Sequence, residues 1–190
     1  PKIIDGNGKI IRSYWRKPTL KSAILSILHL DSLNFKKNYN SFTFNNISKV
    51  ETLSGCAIFL PSKVFKELGG FNENLFWMED IDLCARTEER GYSVYYLPNT
   101  KIVHFSGKSA EKNYKTSISN QLISKIKYFK LYHNHKSFLV ILITILFISI
   151  LKASIFFVVA PFSKIFRKKF LAYVYTALRI LKGQFRITEL

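Results

Sequence analysis

Apolar and polar positions follow three successive rhythms along this chain. The first is strand-like: residues 2–12 place β-branched pairs on either side of Asp5-Gly6-Asn7-Gly8, whose residues tolerate the positive φ of a tight turn, which predicts a hairpin. A lone hairpin is marginal in water and must dock on something larger. From 19 to 30 the spacing becomes helical, with Leu20, Ala23, Ile24, Ile27 and Leu28 recurring behind Thr19 as the N-cap. Residues 31–46, rich in Asn, Ser and Lys, read as a surface excursion. Strand-like order returns over 50–60, broken at Ser54-Gly55. A short helix is predicted over 63–68, started by Pro61-Ser62 and stopped by Gly69-Gly70. A second helix over 80–90 carries Ile81, Cys84 and Ala85 on one face and ends at Gly91. Two short strands follow, over 92–97 and 101–105, around a Pro98-Asn99 turn.

Beyond Ile118 the rhythm changes for good. Ile118, Leu122, Ile126, Phe129 and Leu131, interleaved with lysines, predict a basic amphipathic helix. Residues 138–151 are apolar apart from Thr144 and Ser149, Lys152 intervenes, and 153–162 are apolar again. Neither run alone reaches the ~20 residues needed to cross a bilayer. Together they do, with Lys152 near the middle at a cost of about 2.5–3.5 kcal/mol. Both flanks are basic and would prefer the cytoplasm, so a re-entrant hairpin or a helix in the membrane interface is expected over a simple span. A soluble core helix is disfavoured, because a helix apolar on every face needs a large protein around it. Residues 164–182 predict a final basic amphipathic helix, with about 1 kcal/mol per Lys or Arg available near an anionic leaflet. Membrane lipids are therefore expected partners. His133 and His135 have no third ligand nearby and read as interfacial or exposed.

Composition sharpens this division. The chain has 190 residues, 48% of them hydrophobic, enough for one core and an appendage. Its net charge of +17 is unevenly placed: beyond Glu111 the only acid is Glu189, against 14 lysines and arginines from Lys112 to Arg186. That pattern is a basic tail, and a boundary between 117 and 118 is expected. No nucleic-acid partner is expected, because the charges flank a lipid-like run and not a base-stacking platform. Two cysteines in apolar settings, Cys56 and Cys84, fit a reducing compartment. The chain opens at Pro1 in a strand-like run with no signal-peptide pattern, which leads us to expect a preceding portion.

The chemistry concentrates in residues 71–86, where Glu79, Asp80 and Asp82 crowd the start of a helix after an aromatic-rich loop. Unpaired N–H groups and the macrodipole favour carboxylates there. Acids so placed serve as caps, or as a general base where aromatic rings exclude water. Gly55 inside a strand marks a close approach, either of a sugar or of a crowded neighbour.

Several ordered motifs accompany this cluster: Leu53-Ser-Gly-Cys-Ala-Ile-Phe-Leu-Pro61, Gly69-Gly-Phe-Asn-Glu73, Glu79-Asp-Ile-Asp82, Gly91-Tyr-Ser-Val-Tyr-Tyr-Leu-Pro98 and Val103-His104. In this order they resemble the acceptor-side half of a family 2 glycosyltransferase of the GT-A type, most similar to bacterial rhamnosyltransferase-like enzymes of cell-surface polysaccharide assembly. The family often has Phe-Asp-Glu where this chain has Phe71-Asn72-Glu73; Asn and Asp are both turn formers. The resemblance implies an α/β fold, the C-terminal half of a Rossmann-like mixed sheet, followed by the helical membrane-associated tail. It makes Asp80 the base, with Glu79 orienting the acceptor or supporting the base, Ser54, Gly55, Phe76, Trp77, Asp82 and Arg86 on the substrate side, and His104 a ligand for Mn²⁺ or Mg²⁺. The substrates implied are a dTDP- or UDP-sugar, possibly of rhamnose, and a lipid-linked or cell-surface glycan, handled at the cytoplasmic face of the bacterial cell membrane with inversion.

The family's Asp-x-Asp donor motif is absent. Asp80-Ile81-Asp82 has that spelling but stands where the family has its base, so an acceptor-side fragment is expected. Ser106-Gly107-Lys108-Ser109 offers either a phosphate-contacting loop or a solvated turn, and lacks the upstream glycine of a P-loop. A non-catalytic membrane-docking module, or a degenerate half that partners another protein, is the alternative class of function.

Overall fold

The computed structural model describes residues 1–30, 44–105 and 112–187. In chain order its elements are β1 (Lys2–Ile4), β2 (Ile10–Ile11), β3 (Tyr14–Trp15), α1 (Leu20–Ile27), β4 (Ser48–Lys49), β5 (Thr52–Leu53), α2 (Ser62–Glu67), α3 (Glu79–Glu89), β6 (Tyr95–Tyr96), β7 (Lys101–Val103), α4 (Tyr114–Tyr132), α5 (His135–Val159) and α6 (Lys164–Leu181). The excursion expected over 31–46 lies outside the described residues up to 43, and so does the Ser106–Ser109 segment.

The described residues divide into two units. One, of mixed sheet and helix, holds residues 1–18, 44–73 and 78–105; the other, wholly helical, holds 19–30, 74–77 and 112–187. This differs from a cut between 117 and 118. Residues 19–30 join the helical unit because α1 packs on α5 and Lys125 Nζ donates to Ser26 Oγ at 3.0 Å. Residues 74–77 join it through Ser124 Oγ, which donates to the Phe76 carbonyl at 2.5 Å.

In the first unit the expected hairpin forms, with Ile3 opposite Ile11 and Ile4 opposite Ile10. The Gly8 N–H closes its turn onto the Asp5 carbonyl at 3.0 Å. On its other side β1 runs parallel to β7, giving a three-stranded sheet of order β2-β1-β7. Two further ladders, β3 with β5 and β4 with β6, are antiparallel pairs of two residues each. Among the described residues the expected mixed sheet is thus three small sheets. Tyr14, Val50, Leu53, Cys84, Val94 and Tyr96 form the core beneath them, with the Tyr14 and Tyr96 rings 4.8 Å apart.

One expectation fails here: 50–60 is not a long interrupted strand. Only Thr52–Leu53 pairs, because beyond it the chain turns, with the Ala57 N–H reaching back to the Ser54 carbonyl at 3.3 Å. Helix α2 begins after Pro61 and stops at Gly69 and Gly70, whose φ values of +74° and +76° need glycine.

In the helical unit Thr19 caps α1 through a reciprocal capping box with Ser22. Helix α5 runs unbroken through Lys152, which fits a continuous helix and not the re-entrant hairpin, one of the two expected alternatives. The lysine is accommodated because its Nζ lies 3.4 Å from the Tyr173 hydroxyl and 5.2 Å from that ring's centre on α6. Pro161, in the short 3₁₀ turn Ala160–Phe162, marks where the helix ends.

Candidate active site

The acidic cluster opens α3. Glu79, Asp80 and Asp82 all stand in its first turn, and Met78 caps it without a side-chain bond. The chain enters this helix through Trp77, held at φ +95°, a left-handed backbone rare for a bulky residue and costly by about 1–3 kcal/mol.

Asp80 is positioned by a partner 25 residues earlier. After Thr52–Leu53 the Ser54 N–H still bonds the Ser13 carbonyl at 2.9 Å, but the Gly55 N–H leaves the ladder and donates to Asp80 Oδ2 at 2.8 Å. A Cβ at position 55 would lie 3.3 Å from Asp80 Cβ and 3.5 Å from Oδ2. The close approach signalled by Gly55 is therefore that of the Asp80 side chain. Oδ1 accepts the Ile81 N–H at 2.8 Å. Burial raises the pKa of this carboxyl above the ordinary aspartate value; the Gly55 and Ile81 donors oppose the rise, and the neighbouring Glu79 charge adds to it. A carboxylate fixed at both oxygens and made more basic is suited to accept a proton.

The nearby sulfurs differ in character. Cys84 is buried, and its Sγ accepts the Leu53 N–H at 3.4 Å. Burial, reinforced by the Asp80 and Glu88 charges, pushes this thiol up to about 11, so it is a neutral core group and not a nucleophile. Cys56 is exposed, with its Sγ 3.0 Å from Ser54 Oγ, which occupies the Ser54 hydroxyl locally.

Asp82 and Arg86, expected on the substrate side, are bonded to each other. Asp82 is 1% exposed and its Oδ2 takes two bonds from Arg86, at 2.8 Å from Nε and 2.6 Å from Nη2. The same guanidinium donates to the Leu68 and Gly70 carbonyls. The pair clamps the end of α2 onto α3. Phe76 and Trp77 are 59% and 41% exposed, their rings edge to face at 6.4 Å, and they belong to the helical unit.

His104 stands at the end of β7 and its N–H donates to the Ile4 carbonyl at 2.9 Å. Among the described residues no group of three or more His, Cys, Asp or Glu side chains comes together to hold a metal ion. One imidazole does not make a site for Mn²⁺ or Mg²⁺, so the described residues do not by themselves fit the expected cation.

Residues 33–108, which include Gly55, Asp80 and His104, match the family described as the N-terminal domain of galactosyltransferase. Two curated relatives, each named N-acetylglucosaminyl-diphospho-decaprenol L-rhamnosyltransferase and belonging to two strains of Mycobacterium tuberculosis, are 32% identical over 62 residues. That alignment covers 32% of this chain and 20% of theirs, so the chain matches about a fifth of their length. No solved structure matches.

Proposed function

We propose that this chain, which carries a fragment of a family 2 glycosyltransferase of the GT-A type, supplies the acceptor side of an inverting sugar transfer. Asp80 takes the proton of an acceptor hydroxyl as that oxygen bonds to the anomeric carbon of a nucleotide-activated sugar and the nucleoside diphosphate leaves. A single base suffices for direct displacement with inversion. Glu79, beside it, orients the acceptor. Gly55 acts through its N–H and its missing side chain, as a positioning residue for Asp80. The observation that carries this reading is the Asp80 carboxylate, held by Gly55 and Ile81 and raised by burial, inside the matched segment.

The relatives' name supplies the substrate class: rhamnose passed to an acetylated amino sugar on a prenyl diphosphate. For this chain we infer a dTDP- or UDP-activated sugar, rhamnose first, and a lipid-linked or cell-surface glycan as acceptor. Mn²⁺ or Mg²⁺ remains the expected cofactor by resemblance, with His104 its one described candidate ligand.

The reaction would take place at the cytoplasmic face of the membrane. Helix α5 is long and apolar enough to cross a membrane. It packs along both α4 and α6, however, whose lysines a spanning orientation would pull into hydrocarbon. We therefore place α5 in the membrane interface, with its exposed Ile143, Phe147 and Val158 dipping into the acyl boundary.

The test is Asp80→Asn in a protein that joins this chain to its donor-binding portion, assayed with nucleotide sugar and lipid-linked acceptor. Loss of a general base lowers kcat by about 10²–10⁴-fold, with donor binding retained. Unchanged turnover removes Asp80 from that role.

A further inference from the structure

The helical unit contains a basic cavity that the transfer reaction leaves unused. It has a volume of about 620 Å³ and lies where the end of α4, the start of α5 and the residues after α6 converge, with Lys130, His133, His135 and Arg186 at its rim and Phe138 and Phe185 in its wall. The local sequence explains each member. Gly183, at φ +69°, ends α6: its N–H bonds the Ile180 carbonyl at 2.9 Å and the Gln184 N–H bonds the Arg179 carbonyl at 2.9 Å. That turn sends the chain back, so that the Phe185 ring meets Phe138 with centres 6.2 Å apart. Arg186 Nε lies 3.4 Å from the point a Cβ on Gly183 would occupy, and the positive φ there is what favours glycine.

On the opposite rim the His133 imidazole is stacked on Phe129, 4.1 Å between centres and 13° from parallel. Asn134 caps α5 by accepting the Ser137 N–H at 2.9 Å, which places His135, one of the lining residues, in the first turn of a 25-residue helix. Between Lys112 and Ile187 there is no Asp or Glu, so the side-chain charges of these helices are all positive. Such a lining suits an anionic ligand. The wall is apolar, and the outer face of α5 beyond it continues with exposed Leu139, Val140, Ile143 and Phe147.

We infer that this cavity binds the phosphate of a membrane lipid, with the rim holding the head group and the hydrocarbon lying along the outer face of α5. A free phosphate would use the rim but not the apolar wall. The inference deepens the interfacial placement proposed above and rests on it.

The test is a titration of the full chain in neutral maltoside micelles with dioctanoyl phosphatidic acid, reading the ring resonances of His133 and His135. Both should shift saturably with one lipid bound. Inorganic phosphate should bind at least about tenfold more weakly, since each buried CH₂ adds affinity, and dioctanoylglycerol should leave the rings unmoved. The double substitution Lys130→Gln, Arg186→Gln should abolish the saturable shift, while Lys164→Gln, Lys168→Gln, which removes equal charge from α6, should keep it. Equal affinity for inorganic phosphate, or shifts indifferent to the Lys130 and Arg186 changes, would overturn the lipid site. Co-sedimentation with phosphatidylcholine vesicles containing phosphatidic acid separates the two claims. A chain that pellets but shows no saturable micelle binding loses the cavity and keeps the membrane placement. A chain that stays in the supernatant loses both.

Discussion

As the proposed base, Asp80 would serve a reaction at the expense of stability. Its pKa is raised in the fold, chiefly by burial, so the fold favours the protonated form. The sign for stability follows from linkage: a folded pKa above the unfolded value makes ionisation cost folding free energy at every pH above the folded pKa. Asp80→Asn should therefore raise Tm near pH 7 while it abolishes transfer. The gain should shrink as pH falls and vanish below the ordinary aspartate value of about 3.9, where both states of the wild type become protonated. A thermal scan at several pH values checks this; a Tm that falls at pH 7 would mean the carboxylate stabilises the fold. For Gly55→Ala the added Cβ meets Asp80 at 3.3 Å, so the carboxylate must shift by tenths of an ångström. We expect a stability cost of about 1 kcal/mol and a kcat roughly tenfold lower, with acceptor KM little changed. Arg86→Ala belongs to another class. It strands the 1%-exposed Asp82 carboxylate and removes the donor from two loop carbonyls, and urea unfolding should register a loss of about 3–5 kcal/mol. The further change Asp82→Ala should restore part of that loss, since the buried charge is then gone.

At the scale of elements, helices with complete local signals were legible and sheets were not. Thr19 before α1, the Gly69-Gly70 stop and Gly91 after α3 marked three helix ends from neighbouring residues alone. Thr19→Ala should accordingly destabilise α1 by about 1 kcal/mol in a denaturation series, with Ser at the same position largely neutral. Pairing across the chain carries no comparable signal. That β1 would lie parallel to β7, nearly 100 residues away, or that β6 would leave β7 for β4, cannot be read from two- or three-residue strands whose register rests on distant partners. The candidate site divides the same way. Its acids were visible as a cluster at a helix start, whereas the Gly55 contact that aims Asp80 spans 25 residues and surfaced only as a glycine out of place in a strand. Asp82 and Arg86 did offer a signal, because residues four apart with opposite charge on one helix pair with each other before they reach for a ligand. The single lysine inside the apolar run pointed toward a break, and the helix continues because Tyr173 on α6 receives it.

For the whole molecule, the separation of charge is the organising fact. Twelve acids serve the entire chain, yet none lies between Lys112 and Ile187, and Glu79, Asp80 and Asp82 stand within four positions of one helix start. On the proposed interfacial reading, the helices beyond Lys112 would be drawn to anionic surfaces, while their outer apolar residues would set how deeply they insert. These two contributions respond to different perturbations. Salt screens the first over a Debye length of about 10 Å at 0.1 M and leaves the second intact. Ile143 and Phe147, 63% and 62% exposed on α5, belong to the second. Replacing both by serine leaves the packed face of that helix, with Phe138, Ile141 and Ile145, untouched. The loss of membrane affinity should reach about 1.5–3 kcal/mol for each side chain fully buried in the acyl boundary. We therefore expect Ile143→Ser, Phe147→Ser to weaken partition into anionic vesicles at low salt and to abolish it at high salt, where the wild type still binds in part. In a protein completed by its donor-binding portion, the same variant should retain turnover on a water-soluble acceptor and lose it on a lipid-linked one. Equal loss on both acceptors would mean that α5 shapes the reaction site itself, and that the division of labour between the acidic and basic parts of the chain is wrong.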